Sequence, residues 1–241
     1  MGMDHYPVTL GIARPLGKAK HIKGGSGSSG SALPSGKVDK DLKAKIFERD
    51  NYTCKCCGFR SEKYQDIHFK NRNKLDHSEG NLLTMCIFCN QCFNLEDVGQ
   101  MRSGVLIWLP EIEQTTLNHI ARAIYVARIS QGAAAEAARK SLDTMMERRA
   151  ELKNRIGTDD PFILSNILSD YLGDKHYHLR APKLEGIRLF PLDRRIIKES
   201  ELEFNQFPQI LAYWRSKNGP FGGKLPTTWV GMYKTILGEA A

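Results

Sequence analysis

The chain has 241 residues, of which 41% are hydrophobic and 26% are charged, and its formal net charge is +8. This composition is that of a soluble globular protein, long enough to bury one core or two small ones, and no segment approaches the roughly 20 apolar residues that a membrane-spanning helix needs. A basic chain can bind nucleic acid, an acidic partner segment or an anionic membrane surface, and a solvated basic surface explains the charge equally well.

The first 36 residues differ in composition from the rest of the chain. Residues 7–13 are rich in β-branched and apolar side chains and predict a short strand. Residues 24–31 contain only glycine and serine, which is typical of a flexible linker and can be an engineered insertion. The first 36 residues can therefore be a native N-terminal strand with a replaced loop, or a tethered peptide. Residues 1–23 lack a continuous apolar core, so no signal peptide is expected.

Two Cys-x-x-Cys pairs follow a short helix that is predicted over residues 39–49. The first pair is Cys54 with Cys57, and the second is Cys86 with Cys89. Each pair spans a tight turn, so that its two sulfurs can face one ion, and Zn²⁺ accepts four thiolates in a tetrahedron at about 2.3 Å. The gap between the pairs is longer than the usual one of about 15–20 residues, which predicts a hairpin over about 62–80. We therefore predict one structural Zn²⁺ held by these four cysteines.

All six cysteines of the chain fall within residues 54–92. A secreted domain built on disulfides would spread them across its fold, so a reducing cytoplasm is the expected compartment. Buried thiols or disulfides are the alternative to a metal site. Two cysteines, Cys56 and Cys92, are left over, and either can be a small buried hydrophobic residue or a thiol with a redox role.

The segments around the two pairs resemble the zinc-stapled HNH nuclease fold. They read as a helix ending in Arg49-Asp50, a knuckle, a hairpin, Asn81-Leu82, and a second knuckle that opens a helix running to about Glu96. The resemblance implies that, in active members, the hairpin strand carries paired histidines or an Asp-His pair. One residue of the pair binds a catalytic metal and the other is the general base, while the closing helix supplies a further ligand.

The strand of the predicted hairpin has an incomplete set of these residues. If His68 takes the general-base position, the metal-ligand position falls on Ile67, whose aliphatic side chain cannot hold a metal. Asn90 can supply the ligand of the closing helix, and Asp66 shares a strand face with His68. We therefore expect no catalytic residues and no enzyme activity. The alternative is a metal-dependent HNH endonuclease that uses His68 as its general base.

Beyond the second knuckle, the sequence is similar to the DotN/IcmJ family of Dot/Icm type IVB secretion and conjugation systems. The matching stretches are Phe88-Cys-Asn-Gln-Cys-Phe93, Gly104-Val-Leu-Ile-Trp-Leu-Pro-Glu111 and Leu117-Asn118. The likeness extends from about Lys37 to the C-terminus and is strongest over residues 46–118. His68 departs from the pattern of that family, which keeps the nuclease alternative open.

Membership of that family implies a function and a set of partners. The resemblance implies a non-catalytic zinc-containing adaptor that binds the cytoplasmic C-terminal tail of a DotL-like coupling ATPase and helps to recruit substrates. Through that tail it would meet other subunits of the coupling complex at the cytoplasmic face of the inner membrane. Nucleic acid is not an expected partner.

The remainder of the chain predicts helices with a few short strands. Apolar strands are expected at 105–109 and 186–190, and the second is predicted to pair either with the first or with residues 8–12. Helices are expected at about 113–131, 134–155, 161–172 and 228–237. The C-terminal aromatic residues, among them Phe207, Trp214 and Tyr233, are more typical of a core than of a base-stacking surface. The predicted fold class is α+β, with an HNH-like ββα Cys₄ module at 37–100 and a mostly helical region at 101–241 packed on it as one compact unit.

Overall fold

A computed structural model describes residues 5–13 and 38–238 of the protein. The predicted linker over residues 24–31 lies outside the described residues. Residues 5–13 form no regular strand, because their backbone bonds a carbonyl of the first knuckle, helix ends and side chains instead of a strand ladder. The N–H of Gly11 donates to the Cys92 carbonyl at 2.8 Å, and the Tyr177 hydroxyl bonds both backbone groups of Ile12.

Residues 38–101 form two strands and three short helices. Asp39 caps the first helix by accepting a hydrogen bond from the N–H of Asp41 at 2.9 Å, and the strands form an antiparallel hairpin in which Ile67 faces Thr84. In chain order the elements are α1 Lys40–Arg49, β1 Gln65–Phe69, β2 Leu82–Cys86, α2 Ile87–Cys92 and α3 Leu95–Met101.

The structure divides the predicted helix at residues 86–96 into α2 and α3. The N-terminal segment explains the break, because Gly11 lies across it. Its N–H bonds the last carbonyl of α2, and its carbonyl accepts the N–H of Leu95, the first residue of α3, at 3.0 Å. These bonds satisfy backbone groups that a continuous helix would satisfy internally.

The rest of the described chain holds six helices and four strands. In chain order these are β3 Gly104–Trp108, α4 Gln114–Arg128, α5 Ala133–Ile156, α6 Pro161–Tyr171, α7 Arg180–Lys183, β4 Ile187–Pro191, β5 Ile196–Glu199, β6 Leu202–Asn205, α8 Phe207–Arg215 and α9 Trp229–Leu237. Strands β3 and β4 pair antiparallel, which confirms one of the two pairings predicted for the strand at 186–190. The hairpin β5–β6 and helix α8 were not predicted. The fold is thus mixed α+β with small antiparallel strand pairs, which confirms the predicted class at that level.

An aromatic cluster joins the cysteine-containing part of the chain to the helices that follow it. Trp214 on α8 is 1% exposed and packs edge-on against Phe88 on α2, with ring centroids 5.5 Å apart. Phe207 and Tyr125 complete the contact from α8 and α4. The predicted boundary at residue 100 stays a prediction, although the core extends across it.

Candidate metal centre

Four cysteine sulfurs meet where the first knuckle faces the start of α2. The Sγ atoms of Cys54, Cys57, Cys86 and Cys89 all lie within 4.8 Å of one another. Three of the four side chains are buried, and Cys57 is half-buried. The structure therefore brings together the four predicted ligands, in an arrangement that could hold one metal ion.

The first knuckle is a tight turn closed by backbone hydrogen bonds. The N–H of Gly58 donates to the Cys54 carbonyl at 2.9 Å, and the N–H of Cys54 donates to the Phe59 carbonyl at 3.0 Å. Gly58 has φ of +72°, a conformation that glycine adopts without the steric cost of a side chain. This turn points the sulfurs of Cys54 and Cys57 in the same direction.

Asp50 fixes the first knuckle against strand β2. Its carboxylate accepts the N–H of Thr84 at 2.9 Å and pairs with the guanidinium of Arg49 at 3.0 Å. Burial opposes ionisation of Asp50, but the hydrogen bonds from Arg49 and Thr84 outweigh it and lower the pKa of this carboxyl below its usual value. A charged Asp50 therefore joins the end of α1 to the strand that ends in Cys86.

The second knuckle coincides with a helix N-terminus. Cys86 is the N-cap residue of α2, and its sulfur accepts the N–H of Cys89 at 3.4 Å. The N-terminus of a helix favours negative charge because its first N–H groups are unpaired. Burial opposes ionisation of the Cys86 thiol, yet its hydrogen bond with Cys54 and the charge of Arg122 help to lower its pKa.

Helix α4 contributes three polar side chains around the sulfurs. The Asn118 amide donates to Cys89 Sγ at 3.3 Å, and His119 Nε2 donates to the Cys57 carbonyl at 2.8 Å. One nitrogen of Arg122 donates to Cys86 Sγ at 2.6 Å. Sequence analysis missed all three residues. A signal was available in the sequence. Asn118 and Arg122 are four residues apart, and each directly follows a residue of the apolar stripe of α4, Leu117 or Ala121.

Arg122 shows that this pocket suits anionic sulfur. The side chain is 1% exposed, and its guanidinium forms no ion pair with a carboxylate among residues 5–13 and 38–238. A buried cation requires a nearby negative charge, and the neighbouring groups that can carry one are cysteine thiolates. Burial opposes the charge of Arg122, and the charges on Cys86 and Cys57 reverse the effect and raise its pKa. Four thiolates with such a cation fit a metal ion.

Comparison with curated proteins reveals a clear relative. The chain is 33% identical over 173 residues to the "Type 4 apparatus protein DotN" of Legionella pneumophila subsp. pneumophila (strain Philadelphia 1). The alignment covers 68% of this chain and 80% of that protein. The chain belongs to the DotN/IcmJ family. This confirms the resemblance seen in the sequence, whereas a scan against protein-family models found no match.

In this member of the DotN/IcmJ family, the two remaining cysteines lie beside the quartet and outside it. Both are buried, and all six thiols are free, so no disulfide forms among them. The Cys56 thiol contacts Met85 Sδ at 3.8 Å, and the Cys92 thiol donates to the Phe88 carbonyl at 3.4 Å. Burial and the neighbouring sulfurs raise the pKa of both thiols, so each is neutral at physiological pH.

The residues of the nuclease alternative line a separate cleft of about 490 Å³ between β1 and α2. Asp66, Ile67, His68 and Asn90 all face it, but Asp66 lies 3.7 Å from the Arg195 guanidinium. Among the described residues, the four cysteines are the group of three or more His, Cys, Asp or Glu side chains close enough to hold a metal. The cleft therefore gathers the predicted polar residues without assembling them into a ligand set of that kind.

His68 has unusual surroundings for a general base. The residue is 5% exposed, and its ring lies against Phe93, with ring centroids 4.3 Å apart. Its Nε2 atom has no hydrogen-bond partner within the described part of the chain. Burial lowers the pKa of His68 to about 4, so the ring is neutral and weakly basic at physiological pH.

Proposed function

We propose that this chain is a subunit of a Dot/Icm-type secretion apparatus and acts there as a non-catalytic adaptor. The observation that carries the proposal is its 33% identity to DotN, a type 4 apparatus protein, over 80% of the length of that protein. In this role it binds the cytoplasmic C-terminal tail of a DotL-like coupling ATPase at the inner membrane and helps to recruit substrates. No helix among the described residues is long and apolar enough to cross a membrane, so the proposed place at the membrane depends on the partner.

The proposed metal is one structural Zn²⁺. Four protein ligands leave no coordination position for water or substrate, which distinguishes structural from catalytic zinc sites. The order β1, β2, α2, with one cysteine pair before it and one at the junction of β2 and α2, supports an HNH-like ββα scaffold held by that ion. Cys54, Cys57, Cys86 and Cys89 would bind the metal, and the metal would supply folding energy.

Helix α9 offers a surface for the partner tail. It buries none of its nine residues, and Tyr233 and Ile236 are 62% and 79% exposed. With Val230 and Leu237 they lie on one broad apolar face of the helix, opposite Thr235. Apolar helix faces are usually covered by another surface. We propose that the tail of the coupling ATPase covers this face and becomes ordered as it binds.

Aspartate substitutions on α9 are expected to weaken tail binding. The double variant Tyr233→Asp with Ile236→Asp should lower the affinity for a synthetic tail peptide at least about 10-fold, since each apolar side chain buried at an interface contributes roughly 1.5–3 kcal/mol. Isothermal titration calorimetry measures the change. The matched control is Ile163→Asp with Ile167→Asp on α6, where the two residues are 45% and 44% exposed.

The wild-type protein tests the adaptor role, and the variants test whether the tail binds at α9. If the wild-type chain forms no complex with the tail in calorimetry and size-exclusion chromatography, the adaptor role fails. If the tail binds and the α6 variant loses affinity while the α9 variant does not, the docking surface lies on α6 and the assignment to α9 is wrong.

The proposal also predicts that the protein does not cleave DNA. Ile67 cannot bind a metal, Asp66 is paired with Arg195, and the pKa of His68 lies well below the operating pH that suits a general base. Protein of verified metal content, incubated with supercoiled plasmid and Mg²⁺, Mn²⁺ or Ni²⁺, should leave the plasmid intact on an agarose gel. A His68→Ala variant controls for contaminating nuclease. Cleavage that needs added metal and disappears with His68→Ala would establish the nuclease alternative.

A further inference from the structure

We infer that Arg122 is a positioning residue of the metal centre, whose buried guanidinium orients two of the thiolates and compensates their charge. The inference rests on the metal site proposed above and goes beyond it, because it assigns the properties of the site to a residue that is not a ligand. Arg122 lies 36 residues from Cys86 in the chain, and its position beside the sulfurs results from the packing of α4 against α2.

The contacts of Arg122 place its charge between two sulfurs. One guanidinium nitrogen, Nη2, lies 2.6 Å from Cys86 Sγ and 3.7 Å from Cys57 Sγ. The other, Nη1, lies 3.4 Å from a ring nitrogen of His119. A single donor is thus shared between the two cysteine pairs, because Cys57 belongs to the first knuckle and Cys86 to the second.

The surroundings of the guanidinium strengthen its interaction with the sulfurs. Its central carbon lies 4.1 Å from the Phe59 ring centroid and 5.2 Å from that of Phe88. These rings exclude water, which raises the energy of an electrostatic contact. Arginine suits such a place better than lysine, since its guanidinium is planar, weakly hydrated and able to lie against aromatic rings.

Charge explains why the site needs this residue. Four thiolates around one divalent cation carry a net negative charge, and a buried charge is costly unless another group compensates it. The Asn118 amide and the Cys89 N–H bring dipoles to the sulfurs, and Arg122 adds a full positive charge in contact with two of them. Removal of that cation should lower the affinity of the four thiolates for the metal.

The test replaces Arg122 and measures metal affinity. Arg122→Met removes the charge and keeps an unbranched side chain, whereas Arg122→Lys keeps the charge and loses the planar fork. We expect competition with a chelator of known affinity to show zinc binding about 10–100-fold weaker for Arg122→Met, the usual effect of losing a group that supports a metal ligand. The affinity of Arg122→Lys should lie between those of Arg122→Met and wild type. The matched control is Arg128→Met on the same helix, because Arg128 pairs with Asp193 instead of the sulfurs.

A second readout distinguishes charge from packing. In protein loaded with Co²⁺, the thiolate-to-metal absorption bands should shift in Arg122→Met and stay unchanged in Arg128→Met, since a purely structural loss would lower the yield of folded protein without moving the bands. Wild-type protein that binds no zinc would refute the proposed metal site itself. Wild-type protein that binds zinc, with the same affinity and spectrum in both Arg122 variants, would overturn the role of Arg122. If Arg122→Met does not fold, Arg122→Gln replaces it as the uncharged variant. Zinc binding by Arg122→Lys that is tighter than that of Arg122→Gln supports the role of the charge, and zinc binding that is no tighter overturns it.

Discussion

Replacement of Cys86 with serine is expected to abolish metal binding and to unfold both knuckles with the hairpin between them. Cys86 is a proposed ligand, its sulfur accepts hydrogen bonds from Arg122 and from the N–H of Cys89, and it caps α2. Structural zinc contributes about 10–16 kcal/mol in small metal-dependent folds, whereas a whole domain is stable by only about 5–15 kcal/mol. Loss of the ion should therefore exceed what the small hairpin core can supply.

Metal content and folding can be measured on the same sample. Elemental analysis should find roughly one zinc per chain in the wild-type protein, as one four-thiolate site requires, and none in Cys86→Ser. Far-ultraviolet circular dichroism and thermal unfolding should show the loss of structure. A chelator added to the wild-type protein should reproduce the effect, and returned zinc should reverse it.

Cys56→Ala is the matched control for this substitution. Cys56 belongs to the first knuckle and is buried like Cys86, but its thiol contacts Met85 and lies outside the metal-competent quartet. We expect this variant to keep its zinc and to lose only a little stability, as for the removal of one small buried group. Cys86→Ser protein with wild-type zinc content and melting temperature would show that the four cysteines are not a structural metal site.

The ligand quartet could be found in the sequence because local geometry determines it. Two residues between paired cysteines fix a turn, and Gly58 permits the positive φ that follows it. The pairing of β3 with β4 was one of two alternatives that the apolar strand at 186–190 left open. These features depend on the order of residues and little on what packs against them.

The residues around the quartet could not be found in the same way. Asn118 and Arg122 reach the sulfurs because α4 packs against α2. The polar pair beside the apolar stripe of α4 was a local signal, but nothing local indicated what it would contact. The break between α2 and α3 likewise depends on Gly11, more than 80 residues upstream. The sequence placed Asp66 and His68 on one strand face, but it could not indicate that Arg195, far downstream, would pair with Asp66.

The aromatic residues illustrate the same limit. Phe207 and Trp214 are buried as predicted, whereas Tyr233 is exposed. All three are aromatic residues on C-terminal helices, and composition cannot tell which of them will be buried. The three residues differ in what their helices contact. Helix α8 packs on α4, while α9 projects its apolar face away from the described core. An exposed face of this kind is the feature that a binding partner would explain.

Replacement of Trp214 with alanine is expected to lower the free energy of unfolding by about 3–5 kcal/mol, the usual cost of removing a large aromatic side chain from a core. The indole ring packs against Phe88, which lies between the proposed ligands Cys86 and Cys89, and against Phe59, which adjoins the first knuckle. The loss should therefore reach the metal site as well as α8. Urea unfolding followed by circular dichroism, together with chelator-driven zinc release, measures both effects.

One cooperative transition is expected for the wild-type protein, because the aromatic cluster joins residues on both sides of the predicted boundary at residue 100. Trp229→Ala is the control, since that ring is only partly buried and stacks on Phe221 in the C-terminal part. It should cost less stability and leave the rate of zinc release unchanged. Two separate transitions, with zinc release unaffected by Trp214→Ala, would instead mean that residues 37–100 and 101–241 fold as independent domains, and that the cysteine module derives its stability from the metal alone.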